Sequence, residues 1–301
     1  MRDLLEPSVA RLRAAGSPSP RLDAELLLGY VLGVDRAAVL AHPEAPVGTG
    51  QAVALEAAVA RRERGEPVAY IRGVKEFYGL ALTADPRALI PRPETELLVD
   101  LAQAWVRARL SSAPRAADAP PMVVLDVGTG SGAIAVALAV TFRRHGYGGA
   151  VRLLATDVSP EALGLAVENA VGHGVADAIE FSHADLLETE AAGNDGTVDL
   201  LLANLPYIPS GDLPGLPVAA SFEPAIALDG GPDGSRLIGR LMEHLDRVLA
   251  LDGLALLEIG DGQVDRLLVL VREVLPGWTS VLHDDLGGTP RVLELARGAR
   301  P

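Results

Sequence analysis

The sequence predicts an α/β protein: a mostly parallel sheet covered by helices, an antiparallel hairpin at its end, and a small helical domain in front. Three observations predict it. From Met122 onward, short apolar runs alternate with helical stretches, the pattern of strand–crossover–strand units with both sheet faces covered. Near the C-terminus two strand-like runs follow one another without a helix between them, so one must run antiparallel. Residues 1 to 72 carry helix starts and stops and nothing that looks chemical.

In chain order, Ser19-Pro20 sets a capping hydroxyl before a proline at a first helical position. Leu22, Leu26, Tyr30 and Val31 then recur at helical spacing, with Leu27 beside them, and Gly33 offers a stop. A loop over 42–50 precedes a second helical stretch over 51–64. The stretch 68–83 reads as β-rich: Tyr70, Ile71, Phe77, Tyr78, Leu80 and Leu82 suit strands, and Gly73 or Gly79 supplies a turn. Ile90-Pro91-Arg92-Pro93-Glu94-Thr95-Glu96 leads into a helix through about residue 110, and 111–121, rich in Ser, Ala and Pro, reads as an exposed connection. Strands are expected over 123–127, 151–156, 178–181, 200–203 and 254–259, and helices over 133–143, 160–171, 235–249 and 264–275. The closing hairpin uses 279–284 and 291–295. The expected division is a helical domain at 1–72, a β-hairpin linker at 73–84 and the α/β domain at 85–301.

Composition narrows the function classes. The chain has 301 residues, 49% of them hydrophobic, and a formal net charge of −14. Phosphate neutralisation needs a basic patch, and none stands out, so nucleic acid is not the expected partner. Arg61-Arg62 and Arg143-Arg144 are short basic runs that read as solvated helix faces. With no Cys there are no disulfides, thiolate nucleophiles or Cys-bound zinc. The six His show no metal-ligand spacing, so no metal is expected. Acidic residues and Pro7 occupy the place of a secretory apolar segment, and no apolar run is long enough to span a membrane; the expected location is cytoplasmic. Neither a phosphate-binding G-x-x-x-x-G-K-[ST] loop nor a G-x-S-x-G nucleophile elbow is present.

The chemistry concentrates at strand ends. Val123 to Val127 run into Gly128-Thr129-Gly130-Ser131-Gly132 and then a helix. Glycines let the backbone approach a ligand closely, and the helix N-terminus behind them favours a carboxylate. Gly128, Gly130 and Ala133 also satisfy the dinucleotide fingerprint, which keeps a nicotinamide-dependent oxidoreductase open; Asp126 tilts the loop toward a methyl donor. Asp157, at the end of the next strand, is placed to accept from both hydroxyls of a ribose. Asp185 follows the third strand, where it could accept from an adenine amino group with Leu186 against the ring.

Asn204-Leu205-Pro206-Tyr207 ends the fourth strand, on the side where open α/β sheets bind ligands. A planar nitrogen is a poor nucleophile because its lone pair is delocalised. The Asn204 side-chain oxygen and the Leu205 carbonyl can accept from both N–H groups of an NH₂ and turn its lone pair toward a methyl group. Pro206 fixes the backbone, and Tyr207 is expected to wall in the planar group. The cluster Asp229 to Gly234 reads as a turn with a possible gating role.

The order Asp126-Val-Gly-Thr-Gly-Ser-Gly, Asp157, Asp185, Asn204-Leu-Pro-Tyr resembles that of amino-group S-adenosylmethionine methyltransferases. More narrowly, the chain resembles the HemK/PrmC-type peptide chain release factor glutamine N5-methyltransferases over nearly its whole length. The resemblance rests on Arg21-Leu-Asp-Ala-Glu-Leu-Leu-Leu, Gly65-Glu-Pro-Val-Ala-Tyr-Ile-Arg-Gly, Glu76-Phe-Tyr-Gly-Leu80, Leu89-Ile-Pro-Arg-Pro-Glu-Thr-Glu, Glu223-Pro224 and Asp285-Leu-Gly-Gly-Thr-Pro-Arg291. It implies a Rossmann-like class I methyltransferase sheet, S-adenosyl-L-methionine as cofactor and S-adenosyl-L-homocysteine as product. It further implies a monomer that methylates the glutamine of the Gly-Gly-Gln loop of class 1 release factors, with the helical domain holding the factor. By the same resemblance, Gly128, Thr129, Gly130, Ser131, Gly132, Asp157, Asp185, Leu186 and Asn204 contact the methyl donor, and Asn204 to Tyr207 hold the glutamine amide. The family usually has Asn-Pro-Pro-Tyr; Leu205 stands in for the first Pro and still supplies a backbone carbonyl. Asn-Leu-Pro-Tyr is also similar to the motif of ribosomal RNA adenine N6-dimethyltransferases, which append their helical part after the catalytic domain rather than before it.

Overall fold

Apolar residues three and four apart turn the N-terminal quarter of the chain into helices. The computed structural model describes residues 1–112, 120–188 and 196–298. One unit of it comprises Met1–Lys75, Ala84–Pro86 and Leu216–Glu223. It holds α1 (Arg2–Ala14), α2 (Pro20–Leu32), α3 (Arg36–Ala41), α4 (Thr49–Glu63) and α5 (Val68–Arg72). Leu5, Val9 and Leu12 pack with Leu27, Leu28, Leu55, Val59 and Ile71 to form its core. Asp35 caps α3, over residues the sequence reading assigns to no element, by accepting from the Ala38 amide at 2.7 Å.

Four readings of this unit are corrected. On α2 the buried face is Ala24, Leu27 and Leu28, while Leu22 and Tyr30 are exposed. Charge sets that rotation. Asp23 is buried against Arg62 at 2.7 Å, and Glu25 is buried with Arg36 at 2.8 Å and Arg21 at 3.0 Å. The Ser19 hydroxyl donates to Asp23 instead of capping the helix. Arg62 therefore belongs to a buried pair, not to a solvated face, with its side chain only 11% exposed. Finally, 68–72 is helix, not strand: Pro67 starts α5 and Gly73, at φ +70°, stops it.

The other unit comprises Glu76–Thr83, Arg87–Gly215 and Pro224–Pro301. β1 (Val74–Phe77) and β2 (Leu80–Thr83) pair as a two-stranded ribbon. Their turn places Tyr78 and Gly79 both at positive φ, the twist a two-residue hairpin needs. Tyr78 is held there because its amide donates to Glu96 at 2.8 Å and its hydroxyl to Asp100 at 2.6 Å. A short 3₁₀ turn at Pro93–Thr95 opens α6 (Glu96–Ser112). Of the connection expected over 111–121, Ser111 and Ser112 extend α6, and 113–119 lie outside the described residues.

The rest alternates as expected: β3 (Met122–Val127), α7 (Ala133–Arg144), β4 (Val151–Asp157), α8 (Pro160–Gly172), β5 (Ile179–His183) and β6 (Val198–Ala203). After β6 come a two-stranded clip of β7 (Ile208–Pro209) and β8 (Asp229–Gly231), then α9 (Arg236–Val248), β9 (Leu249–Glu258) and α10 (Val264–Val274). The chain closes with β10 (Trp278–Asp284) and β11 (Pro290–Arg297). β9 begins five residues earlier than the apolar run suggests, because Leu249 already pairs with Val198 ahead of the exposed Asp252.

The sheet order is β10-β11-β9-β6-β3-β4-β5. β3 pairs in parallel with β4 and β6, β4 with β5, and β6 with β9; β11 runs antiparallel to β9 and β10. Neighbouring residues on the central strands enter opposite layers. Val124, Leu200 and Leu256 pack with α6 and α7, while Leu125, Leu201 and Leu257 pack with α9 and α10. From β3 the chain moves outward through β4 and β5, then returns to β6 on the other side. That reversal opens a crevice at the carboxyl ends of β3 and β6.

Candidate active site

At the end of β3 the backbone turns where no side chain fits. Gly128 lies at φ +72°, and a Cβ there would stand 2.9 Å from Cδ2 of Leu205. Gly132, the residue before α7, lies at φ +79°, and its Cβ would stand 3.0 Å from that of Ala166. The Gly128 and Thr129 amides both donate to the Thr156 carbonyl, at 2.8 and 2.9 Å, which fastens the loop to β4.

Two carboxylates are built into this turn. The Gly130 amide donates to Oδ2 of Asp157 at 2.8 Å, and the Ser159 amide donates to Oδ1 at 2.9 Å. Both oxygens are thus oriented, and each keeps a lone pair for a ligand. Burial nevertheless pushes the Asp157 pKa up. Asp126 is fully buried and accepts from the Thr129 hydroxyl at 2.7 Å, while its Oδ1 has no partner. Burial raises its pKa to about 7.

A cavity of about 570 Å³ opens beside the loop. Its walls include Gly128, Thr129, Gly130, Ser131, Asp157, Asp185, Leu186, Asn204, Leu205 and Pro206. The structure thus brings together most of the residues singled out in the sequence. Leu186 is held at φ +54° and buried at the rim, where its carbonyl accepts from the Thr156 hydroxyl at 3.5 Å. Asp185 is paired with Arg240 at 3.0 Å, both side chains being partly exposed.

Two expected residues lie outside that lining. Gly132 packs on Ala166. Tyr207, expected as a wall, sets its ring against Gly260 and borders a second hollow with Ile208, Asp233 and Gln263. Its carbonyl accepts from Gln263 at 3.2 Å, and burial raises the pKa of its hydroxyl. The clip of β7 and β8 explains the placement, since Gly230 and Gly234 lie directly against the Tyr207 backbone. The glycines of 229–234 are therefore packing residues, and Asp229 reaches the cavity.

Other lining residues escaped the sequence reading. Arg87, Arg92, Arg236 and Arg240 give an acidic chain a cavity with several cations. Thr95 accepts from Nδ2 of Asn204 at 3.0 Å. Glu258, at the end of β9, is 2% exposed, sits by Thr95 and Asn204, and has its pKa pushed to about 7, chiefly by burial. The signal for Glu258 was an acid inside the apolar run Leu254 to Ile259, at a strand end facing the crevice. For Thr95 it was the Ile-Pro-Arg-Pro-Glu-Thr-Glu stretch, read as a helix start and as part of the family resemblance but with no site role for Thr95.

A sheet of this order, with a glycine loop, an oriented acid at the second strand end and an amide side chain at the fourth, defines an S-adenosylmethionine-dependent methyltransferase of class I. Residues 3–73 match the PrmC N-terminal domain family and residues 124–216 match a methyltransferase domain family. A release factor glutamine methyltransferase of Koribacter versatilis is 38% identical over 297 residues, covering 97% of each chain. One from Deinococcus radiodurans is 36% identical over 297 residues, covering 99% of this chain and 98% of its own. Among solved structures, the catalytic domain of hMettl16, in complex with a MAT2A 3′UTR hairpin, superposes with a TM-score of 0.54 at 15% identity. It covers 82% of each chain and shows the shared fold. The chain belongs to the release factor glutamine methyltransferase family.

Among the described residues no helix is long and apolar enough to cross a membrane. No cluster of three or more His, Asp or Glu in them could hold a metal ion.

Proposed function

We propose that the enzyme transfers the methyl group of S-adenosyl-L-methionine to the side-chain amide nitrogen of the glutamine in the Gly-Gly-Gln loop of class 1 peptide chain release factors. One observation carries the reading: the Asn204 amide has its nitrogen tied to Thr95, which leaves its oxygen free to accept at the cavity wall. The name carried by the Koribacter and Deinococcus relatives agrees with it.

The residues present fit the cofactor. The turn after β3 offers backbone N–H groups and the start of α7 to a carboxylate, and Asp157 offers two oriented oxygens to ribose hydroxyls. Asp185 meets the adenine amino group once its solvent-exposed pairing with Arg240 is given up, and Leu186 packs on the ring. When bound, S-adenosylmethionine supplies a methyl group on a positively charged sulfur.

The chain's own work is to hold the acceptor. The Asn204 oxygen and the Leu205 carbonyl take the two N–H groups of the glutamine amide and turn its nitrogen lone pair toward the methyl. The nitrogen gains the methyl as the methyl–sulfur bond breaks and gives up one proton to water, leaving a secondary amide. Leu205 packs its side chain on Gly128, which ties the two loops together where the family usually has proline. Pro206 lines the cavity, and Tyr207 braces the segment from behind. In this reading residues 1–72 hold the release factor, 73–84 link, and 85–301 catalyse. The enzyme acts as a cytoplasmic monomer without a nucleic-acid substrate.

Transfer of labelled methyl to a purified release factor tests this, with a Gln→Ala variant of its Gly-Gly-Gln loop and ribosomal RNA run alongside. Label on the normal factor alone is expected. Label on RNA alone would replace the reading with adenine methylation.

A further inference from the structure

An asparagine amide can present either its oxygen or its nitrogen, and only the oxygen can accept from a substrate NH₂. Asn204 donates through Nδ2 to Oγ1 of Thr95, so Thr95 must accept on that side and send its own proton elsewhere. The side chain in reach of that proton is Glu258, which takes hydrogen bonds from both Thr95 and Asn204. A carboxylate accepts and cannot donate, so a charged Glu258 fixes the direction of the whole chain. Glu258 takes the Thr95 proton, Thr95 takes the Asn204 proton, and the Asn204 oxygen faces the cavity. A protonated Glu258 can donate to Thr95, which frees the Thr95 proton for the Asn204 oxygen and permits the flipped amide.

We propose that Glu258 is a positioning residue whose charged form, acting directly and through Thr95, fixes which end of the Asn204 amide meets the substrate. The proposal deepens the glutamine-amide reading and rests on it. Glu258 never touches the acceptor; it governs the residue that does. Geometry makes the arrangement switchable. Glu258 is almost fully buried and its Oε2 has no partner, so the carboxyl can gain a proton and turn that oxygen toward Thr95. The charged groups that act on it are Glu94 in the turn before α6 and Arg291 on β11; Tyr207, beyond β6, shares this environment with Arg92. Arg291 is itself occupied by Asp285 at 3.0 Å. Burial outweighs the help of Arg291, and the pKa of Glu258 stands at about 7. The chain thus loses its direction as pH falls through neutrality.

The test is the pH profile of methyl transfer to a release factor, at saturating S-adenosylmethionine, for wild type and the Glu258→Gln, Thr95→Ser and Thr95→Val variants. Wild-type kcat is expected to rise with pH through an inflection near 7. In Glu258→Gln the inflection disappears and kcat falls about tenfold or more, because a buried Gln can point either way. Thr95→Ser keeps both rate and inflection; Thr95→Val lowers the rate, because one of the two acceptors that hold Nδ2 of Asn204 is gone. Binding of S-adenosylhomocysteine, unchanged across the set, shows that the variants are folded and separates this effect from the titration of Asp126 in the cofactor loop. A Glu258→Gln enzyme that keeps the wild-type inflection and rate overturns the proposal. A wild type that methylates no glutamine overturns instead the reading on which it rests.

Discussion

Buried carboxylates in the two units have opposite fates. In the helical unit Asp23 and Glu25 are each closed off by arginines: Arg62 on the first, Arg36 and Arg21 on the second. In the sheet unit Asp126 and Glu258 are as deeply buried, yet each keeps an oxygen without a partner and has its pKa pushed to about 7. The first pair holds helices together and explains why an acid-rich motif, Arg21-Leu-Asp-Ala-Glu-Leu-Leu-Leu, lies in a domain with no chemistry. The second pair lies by the glycine loop and by Asn204. Full pairing marks architecture here, and incomplete pairing marks the site.

The sharpest way to break this comparison is on the acceptor side. Asn204→Ala is expected to lower kcat by about 10²–10³-fold while leaving the dissociation constant of S-adenosylhomocysteine within a few-fold, measured by methyl transfer and by calorimetry. Next comes the architectural pair. Asp23→Ala strands Arg62 in the helical unit and should cost about 3 kcal/mol of stability there, read by urea unfolding, with cofactor binding retained. Asp157→Ala should weaken S-adenosylhomocysteine about tenfold to a hundredfold, since hydrogen bonds to a charged group are removed. A normal affinity in that variant would move the ribose elsewhere.

The smallest effect is on stability against pH. Asp126 and Glu258 start from ordinary values of 3.8 and 4.5 and rise to about 7 in the folded chain. Between those limits the folded state binds more protons than the unfolded one, so their contribution is full at the acid end and is lost as pH rises through 7. The carboxylates lowered by arginines, such as Glu63 and Glu66, act at the other end, losing their contribution as pH falls below the ordinary carboxylate range. Melting temperature should therefore decline from pH 5 toward pH 7.5. Asp126→Asn and Glu258→Gln together should flatten that decline.

Strand and helix alternation after Met122 was plain in the sequence because apolar runs and helical spacing differ over several residues at a time. The glycine loop, Asp157 and Asn204 were legible because they stand at strand ends, where the backbone alone says which way a ligand lies. What was not legible depends on rotation or on distant partners. The buried face of α2 is set by Arg62 and Arg36, which no local periodicity reveals. Val68–Arg72 carries the apolar residues of a strand, yet Pro67 and Gly73 bracket a single helical turn. Tyr207 was placed in the cavity on residue type, and the clip of β7 and β8 sets its ring on Gly260 instead. Thr95 and Glu258 meet Asn204 across long stretches of sequence, and only the folded sheet makes them neighbours.

The central claim is that Asn204 presents a glutamine amide for methylation. Tandem mass spectrometry of a release factor after incubation with S-adenosylmethionine and either wild type or Asn204→Ala tests it most directly. The account predicts one methyl group on the side-chain nitrogen of the Gly-Gly-Gln glutamine with wild type, and none with the variant. Methylation at another residue, or an unchanged yield with Asn204→Ala, would contradict it.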